Sequence, residues 1–539
     1  MKYSTALLLS FSFLALIVAK PIRLHESHEN ATSQSNDHTH ASHEDIVEIT
    51  LPQPTNAVEA TTPLPVNQTV DWNITADELK KITDNFPDKD PKEMLIIKEK
   101  LKNLTDIVHE QIKPLELDVT IETLELAPFN VTVEIPNKSI IEINKELAEY
   151  LHQGDIIENK ENLDKNDDDG RLKRNTINTH NDPGLIWETD KPISYTIDSG
   201  IVPAGVEAIH QALKYWSENT CLSFAENGNP NGTTLMRFIN GGGCYSSVGK
   251  QYKSASQTVS IGGGCVFFGI AAHEIGHALG MWHAQSRLDR DDFVNVVSSN
   301  IAPDLMYNYD KETTATNDNH GVRYDYGSVM HYEPSSFAID SSKPTLLSKD
   351  PGYQKTMGQR VAPAFSDAWL INLQHKCLDR CNKTNTECQN GGYPDPRNCT
   401  QCKCPESFTG ALCSKRDEGD DPENCGKTIE ASSDWQSLNG SVGKEVWDNI
   451  PEMKCYFHIN APKDKKLQFR LNSVGNICTI NCFYGAVQIK VDDPRYYGYR
   501  FCCPEDAKGQ TYTSKINQIV IALRSVFNKQ QFALDYKYV

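Results

Sequence analysis

The segment HEIGHALGMWH, from His273 to His283, carries the strongest structural signal in the chain. On a helix, His273 and His277 are four residues apart, so both imidazole rings project from one face and can share a metal ion. Glu274 is offset by about one residue and can reach a metal-bound water without being a ligand. Gly280 permits the left-handed conformation that ends a helix, so the chain can return His283 as a third nitrogen ligand. Three protein ligands plus water make a catalytic zinc site, whereas four protein ligands close a structural site.

The length of this motif makes chance agreement rare. The shorter pattern H-E-x-x-H also occurs by accident, where histidines are simply satisfied on a helix surface. With 32 glycines and 16 histidines among 539 residues, requiring Gly280 and His283 as well makes a random match roughly 500-fold rarer. The segment therefore predicts a metzincin-type zinc peptidase, with one Zn²⁺ per chain held by the three histidines and Glu274 as the catalytic base.

Length and charge limit what the rest of the protein can be. The chain has 539 residues, of which 38% are hydrophobic, enough for about three to five modules with real cores. The net charge of −19 is concentrated, because residues 20–174 contain 17 basic and 32 acidic residues, a difference of −15. Neither this segment nor the remainder shows the basic face that nucleic-acid binding needs. After the first twenty residues the sequence contains no run of about 18 apolar residues, so no membrane span is predicted.

Residues 1–19 are predicted to be a signal peptide, and the alternative is an uncleaved anchor. Lys2 supplies the positive start, residues 6–17 the apolar run, and Ala19 the small residue before the cleavage site. The apolar run is short for an anchor. Secretion makes the sixteen cysteines candidates for disulfides, and several N-x-S/T sequons fit the same route. We therefore expect a secreted, extracellular glycoprotein.

An acidic prosegment is predicted over residues 20–174. Residues 20–75 are polar without periodic apolar residues and are expected to be largely disordered, whereas residues 75–112 show a helical pattern. The segment ends in RLKR at Arg174, the R-x-K-R pattern that furin-like secretory proteases cut. Basic clusters are also common in solvated loops, but this one separates a cysteine-free acidic segment from the first cysteine-bearing domain. We expect a furin-like partner protease to cleave after Arg174.

Two further segments resemble the astacin family of zinc peptidases. The third histidine is followed by RLDRD at residues 287–291, and YGSVMHY at residues 326–332 is similar to the family's Met-turn. The resemblance covers residues 175–378 almost continuously. It implies that Met330 forms the hydrophobic floor under the metal, and that Tyr332 is an extra zinc ligand that swings off to stabilise the oxyanion. Without the resemblance, both would be read as ordinary core residues.

The prosegment carries another family feature, and the catalytic segment carries one departure. The sequence LHQGD, ending at Asp155, is similar to the F-x-G-D element of astacin propeptides, with His152 in place of the phenylalanine. The resemblance implies that Asp155 caps the zinc and keeps the zymogen silent, although Gly-Asp is also a common turn pair. Astacins usually carry Glu directly after the third histidine, where it contacts the mature N-terminus, but this chain has Ala284. The zinc ligands and Glu274 are intact, so the chemistry need not be lost, but this chain lacks the glutamate that usually couples prosegment removal to site ordering.

The remaining cysteines indicate two smaller modules. Residues 379–414 resemble an EGF-like module, and residues 425–539, with their strand-like alternation, resemble a CUB β-sandwich. Spacing alone leaves 15 pairings for the six cysteines of the first module. The resemblances imply the disulfides Cys221–Cys377, Cys244–Cys265, Cys381–Cys399, Cys388–Cys402, Cys404–Cys413 and Cys425–Cys455. The pairing of the last four cysteines stays open: Cys478, Cys482, Cys502 and Cys503.

These features predict a multidomain protein in an order common among nematode astacins. An α+β metzincin catalytic domain, with two subdomains around a zinc cleft over residues 175–378, precedes the small disulfide-rich EGF-like module and the all-β CUB sandwich. The predicted function is a secreted zinc endopeptidase, made as a zymogen, that hydrolyses peptide bonds of extracellular proteins by zinc-activated water. The alternative is a secreted binding protein with a vestigial protease domain that acts through its EGF-like and CUB modules. Ala284 is the only support for that alternative.

Overall fold

The computed structural model describes most of the chain from residue 74 onwards. The predicted signal peptide, the prosegment up to residue 73 and the processing site at Arg174 lie outside the described residues. The described ranges are 74–111, 138–158, 183–228, 233–314, 316–423, 425–446, 449–475 and 478–539. Among these residues, no helix is both long enough and apolar enough to cross a membrane.

The N-terminal segment forms helices that pack on the rest of the chain. The helices are α1 (Ala76–Asn85), α2 (Pro91–Gln111) and the short α3 (Ile140–Ile143). The single helical pattern predicted for residues 75–112 is thus divided by a break that ends at Pro91, a residue suited to the first turn of a helix. Apolar side chains at three- and four-residue spacing on α2 are buried: Met94, Ile97, Leu101, Leu104 and Val108. They belong to one hydrophobic cluster with Tyr307 of the catalytic segment, so α2 is anchored there.

A five-stranded sheet begins the catalytic segment, in the order β2-β1-β3-β5-β4. Its strands are β1 (Ile193–Ile197), β2 (Phe224–Glu226), β3 (Leu235–Ile239), β4 (Cys244–Ser246) and β5 (Ser256–Ile261). Strand β1 is parallel to β2 and β3, and β3 to β5, whereas β4 runs antiparallel to β5 at the edge. The sequence of residues 193–197 and 235–239 predicts strands, and β1 and β3 confirm them.

Two helices share the buried core of this sheet. They are α4 (Pro203–Asn219) and α5 (Phe268–Leu279), and the indole of Trp216 on α4 donates to the carbonyl of Ala272 on α5 at 3.1 Å. Every residue of α5 after the first is buried, which fits its nearly uninterrupted apolar and small side chains. The helix that carries the zinc motif is therefore fixed on all sides.

The chain after α5 forms a second part of the catalytic domain with little regular structure. It contains the strand pair β6 (Val294–Val296) and β7 (Leu346–Ser348), several short 3₁₀ turns and helix α6 (Phe365–Gln374). Its core is aromatic and includes the fully buried rings Tyr307, Tyr309, Tyr324 and Tyr332. The disulfide Cys221–Cys377 ties this part to the region after α4.

A small disulfide-rich module and a β-sandwich follow. The module has the strand pairs β8 (Tyr393–Asp395) with β9 (Asn398–Lys403) and β10 (Phe408–Thr409) with β11 (Lys415–Arg416). The sandwich has one sheet in the order β12-β14-β19-β16-β17 and another in the order β13-β20-β15-β18. Its strands are β12 (Thr428–Glu430), β13 (Gln436–Gly443), β14 (Asn449–Asn460), β15 (Leu467–Gly475), β16 (Gly485–Lys490), β17 (Tyr499–Phe501), β18 (Thr511–Thr513), β19 (Gln518–Phe527) and β20 (Lys529–Tyr538). These parts confirm the predicted multidomain fold class.

All sixteen cysteines are paired in the structure. Six bonds join the pairs named above: Cys221–Cys377, Cys244–Cys265, Cys381–Cys399, Cys388–Cys402, Cys404–Cys413 and Cys425–Cys455. The two pairs that the sequence left open are Cys478–Cys503 and Cys482–Cys502. These last two bonds lie side by side, because Cys502 and Cys503 are neighbours in the chain.

Candidate active site

Helix α5 and the turn after it bring three histidines together. His273 and His277 lie one helical turn apart, and their rings meet edge to face with centroids 4.7 Å apart. Gly280 ends the helix in the left-handed region at φ +114°, a conformation that a side chain would strain. The chain then returns, and the His283 ring lies 4.7 Å from that of His277. All three histidines are buried.

The opposite ring nitrogens orient these side chains. Each Nδ1 lies within 3 Å of an oxygen acceptor, so Nδ1 carries the proton and Nε2 presents a lone pair to the centre. The pairs are His273 with the Val329 carbonyl at 2.8 Å, His277 with the Met281 carbonyl at 2.7 Å, and His283 with the Gln153 side-chain oxygen at 2.9 Å. Burial lowers the pKa of His273 to about 3 and that of His283 to about 4, which keeps both rings neutral.

Asp155 of the N-terminal segment completes the cluster. One carboxylate oxygen lies 3.1 Å from His273 Nε2 and 3.2 Å from His283 Nε2, and the other lies 3.5 Å from His277 Nε2. The Nε2 atoms of His273 and His277 are 3.1 Å apart. Tetrahedral zinc with bonds of about 2.0–2.1 Å separates its ligands by about 3.3 Å, which these spacings match.

The chemistry of this donor set requires a cation. Three inward lone pairs and a buried carboxylate repel one another unless a positive charge lies between them. His273, His277, His283 and Asp155 are the types of ligand that zinc takes. The four residues therefore fit one Zn²⁺.

Glu274 lies beside the cluster but outside it. Both carboxylate oxygens are buried, and neither has a hydrogen-bond partner. Burial, followed by the negative charge of Asp155, raises the pKa of Glu274 well above its usual value. A buried carboxyl without a partner is costly, so this one is expected to meet a water or substrate group in the working enzyme.

The Met-turn, residues 326–332, supports the histidines from below. The carbonyl of Val329 holds His273, and the carbonyl of Met330 accepts from the Ala284 N–H at 3.0 Å. The sulfur of Met330 packs against α5 at Gly276, where an added Cβ would lie only 3.1 Å from it. Gly276 thus allows the close approach of Met330 to the helix that carries His273 and His277.

Tyr332 lies next to His283, with ring centroids 4.8 Å apart. Its hydroxyl donates to the backbone carbonyl of Gln153 at 2.6 Å. In this state the phenol therefore holds a peptide carbonyl of the N-terminal segment. Burial raises the pKa of Tyr332 well above its usual value, so the hydroxyl keeps its proton and stays a donor.

The segment around Asp155 forms a tight turn closed by the paired backbones of His152 and Ile156, and Ile156 meets the edge of the sheet through a single β-bridge to Ser246. Ser246 of the edge strand β4 donates to the Asp155 carbonyl at 3.0 Å, and the Ile157 N–H donates to the Ser246 carbonyl at 3.0 Å. Gly154 has φ +80°, and an added Cβ would overlap Ile141. Glycine is therefore required directly before Asp155.

Comparison with known proteins gives the family. The peptidase family described as Astacin matches residues 179–376. Zinc metalloproteinase nas-28 of Caenorhabditis elegans is 35% identical over 481 residues, which cover 85% of this chain and 93% of the relative. Zinc metalloproteinase nas-27 of the same nematode is 30% identical over 445 residues, covering 80% of this chain and all of that relative.

The chain belongs to the astacin family. It is a zinc metalloendopeptidase that uses one catalytic zinc ion, as the resemblance implied. Among solved structures, the high choriolytic enzyme 1, a hatching enzyme zinc-protease from Oryzias latipes, is 32% identical with a TM-score of 0.34. The match covers 36% of this chain and 96% of that one.

Two features of this astacin bear on the predicted departures. Ala284, in place of the usual glutamate, is buried and bound to Met330 through its backbone N–H. His152, in place of the phenylalanine, is fully buried, with Nδ1 3.2 Å from a Glu158 oxygen and its ring against Trp282. The N-terminal segment thus has a polar anchor where the family has an apolar one.

Several residues of the site were missed from the sequence. Gln153 contacts His283 and also donates to Glu312 at 3.0 Å, and Asn144 binds the Gly154 and Cys244 carbonyls at 2.8 and 2.6 Å. Gln153 occupies the variable position of the F-x-G-D element and Asn144 lies in no motif, and their contacts with the catalytic segment span 100 to 159 residues.

Proposed function

We propose that this astacin is secreted as a zymogen and hydrolyses peptide bonds of extracellular proteins, with Glu274 as the general base. The observation that carries the proposal is the pairing of two different carboxylates with one histidine cluster. Asp155 lies in the ligand set, whereas Glu274 lies beside it without a partner. This arrangement supports a silenced catalytic site over a structural one, because a structural site would give the second carboxyl no role.

His273, His277 and His283 would hold the zinc in the mature enzyme. Zinc supplies a Lewis acid that polarises the scissile carbonyl and activates a water. Glu274 takes the proton of the attacking water and returns it to the leaving amine, general acid–base work that contributes typically about 10²–10⁴-fold. The same carboxyl can hold the proton between the two steps.

Tyr332 would donate to the oxyanion. Its hydroxyl already donates to a peptide carbonyl, that of Gln153, at 2.6 Å. A substrate carbonyl bound at the same place would receive the same hydrogen bond, which strengthens as negative charge develops on the oxygen. The implied role of Tyr332 as an extra zinc ligand would apply only when its hydroxyl points to the metal.

Asp155 would keep the zymogen silent by occupying the open position on zinc. The bonds to Ser246 give the segment a fixed register, so the carboxylate is delivered to one place. Processing after Arg174 by a furin-like protease would then free the segment to leave. The full pairing of sixteen cysteines supports passage through an oxidising secretory compartment.

The competing function is a secreted binding protein with a vestigial protease domain. Ala284 is its support, whereas the clustering of His273, His277 and His283 and the buried carboxyl of Glu274 favour the peptidase. The test is to produce the full chain, process it, and measure zinc per chain together with cleavage of an unstructured protein. One zinc and chelator-sensitive cleavage support the peptidase, and a metal-free or inert processed chain would contradict it.

A further inference from the structure

The loop between β16 and β17, residues 491–498, lies against the start of the Met-turn. The Tyr497 N–H donates to both carboxylate oxygens of Asp325, at 3.2 and 3.3 Å. The Tyr497 ring covers Gly327 so closely that an added Cβ would overlap it. Asp325 also accepts from the Gly327 N–H at 2.9 Å and from the Ser366 hydroxyl at 2.6 Å. The β-sandwich thus holds the chain as it enters the turn.

A second contact from the sandwich holds the chain where it leaves the turn. Asn481 Nδ2 donates to a carboxylate oxygen of Glu333 and to the carbonyl of Gly358, each at 3.1 Å. Glu333 directly follows Tyr332. Gly358 has φ +80°, and an added Cβ there would lie 2.6 Å from the Glu333 Cα, so the two backbones are in close contact. A single amide therefore binds both segments.

The turn between these two contacts positions catalytic groups. The Val329 carbonyl oxygen lies 2.8 Å from His273 Nδ1 and orients that ring. The Met330 carbonyl accepts from the N–H of Ala284, the residue after His283, at 3.0 Å. No helix or strand includes residues 324–335. Without a regular backbone ladder, the position of such a segment depends on the groups that bind its ends.

We propose that the C-terminal β-sandwich is a working part of the catalytic centre, in which Asn481 and Tyr497 are positioning residues that hold the two ends of the Met-turn. The inference rests on the proposed peptidase function and adds a requirement to it. A small displacement of the turn rotates His273 and moves Tyr332, and misplacement of catalytic groups by about 1 Å can cost as much as 10²-fold in rate.

Other contacts between the sandwich and the catalytic domain do not reach the turn. Lys355 forms an ion pair with Asp506, and the Tyr499 hydroxyl donates to Asp350 at 2.9 Å. These contacts hold the two parts together in the same way without binding residues 325–333. They therefore provide matched controls for the loss of an interdomain bond as such.

The test uses the full processed chain with Asn481→Gly. Asn481 has φ +58°, a conformation that glycine adopts freely, so the substitution removes the amide and leaves the backbone path. We expect kcat to fall about tenfold with KM within about twofold, and zinc loss to a chelator to be about tenfold faster, because His273 loses its fixed partner. Lys355→Met should leave kcat and zinc retention at the wild-type values.

A second pair of variants keeps the test independent of Asn481. Tyr497→Ala uncovers Gly327 and should lower kcat to a similar extent, while Tyr497→Phe keeps the ring and should restore it. Wild-type kcat in both Asn481→Gly and Tyr497→Ala, or an equal loss in Lys355→Met, would overturn the proposal. Failure of the proposed function is a different result, because the wild-type chain would then lack zinc-dependent cleavage.

Discussion

Helix α5 and the tight turn at residues 152–156 each bring one buried carboxylate to the histidine cluster. The oxygens of Asp155 lie 3.1–3.5 Å from the three Nε2 atoms, whereas those of Glu274 have no hydrogen-bond partner. Burial, followed by the negative charge of Asp155, raises the pKa of Glu274 well above its usual value, whereas Asp155 meets the inward lone pairs of the three imidazoles.

Both carboxyls are buried, so the groups around them, rather than burial itself, distinguish a metal ligand from a proton carrier. A carboxylate that converges with three imidazole lone pairs suits a metal, and a buried one without a hydrogen-bond partner suits proton transfer. The two carboxylates also differ in whether they would remain with the processed enzyme. Asp155 belongs to the segment that predicted processing at Arg174 would separate from the enzyme, and Glu274 belongs to the rigid helix.

Replacing the proton carrier should have the largest effect. Glu274→Ala is expected to lower kcat by about 10²–10⁴-fold while leaving one zinc per chain, because Glu274 contacts no ligand position. Metal analysis and peptide cleavage on the same processed sample give both values. Loss of zinc in Glu274→Ala would show that the two carboxylates do not differ as described.

Removing a zinc ligand, in contrast, should cause loss of the metal itself. His277→Ala is expected to weaken zinc retention by more than the roughly 10–100-fold that loss of an outer partner costs, because only three histidines bind the metal. His375→Ala is the matched control, since His375 is also buried with Nδ1 on a backbone carbonyl, that of Ile371, at 3.1 Å. Both variants are dialysed against a chelator, and the zinc that each retains is measured. Equal zinc retention in the two variants would contradict the assignment.

A smaller effect is expected from the residue that shapes the approach of Asp155. Gly154→Ala places a side chain at φ +80° against Ile141 and Phe337, so the carboxylate should shift within the cluster. In a chain made uncleavable by Arg174→Ala, we expect residual peptidase activity to rise about tenfold, since left-handed strain costs about 1–2 kcal/mol. Gly263→Ala, where an added Cβ meets nothing within 4 Å, should leave that activity unchanged.

The sequence predicted the parts of the site that depend on local spacing. The histidine pair and the helix end at Gly280 follow from neighbours within one or two turns, and α5 has that form. Asp155 was reached only through the likeness to a propeptide element, because it meets His273 across 118 residues of chain. No short pattern could relate two residues at that distance.

The same limit applies to the fold. Strands and helices with clear apolar periodicity were predicted near their observed positions, as at residues 193–197 and in α2. The pairing of Cys478 with Cys503, and the contact of Asn481 with Glu333 across 148 residues, depend on how finished domains pack. Such contacts depend on tertiary geometry, which cannot be predicted from the spacing of residues along the chain.

The claim that Asp155 silences the site by taking the open position on zinc is tested most directly by one pair of uncleavable chains. Peptidase activity is measured for Arg174→Ala with and without Asp155→Ala, after metal analysis shows one zinc in each. We predict negligible activity in the chain with Arg174→Ala alone and clear activity in the chain that also carries Asp155→Ala, because water can enter the freed position. Equal, negligible activity in both would contradict it and would mean that the segment blocks the cleft by steric covering alone.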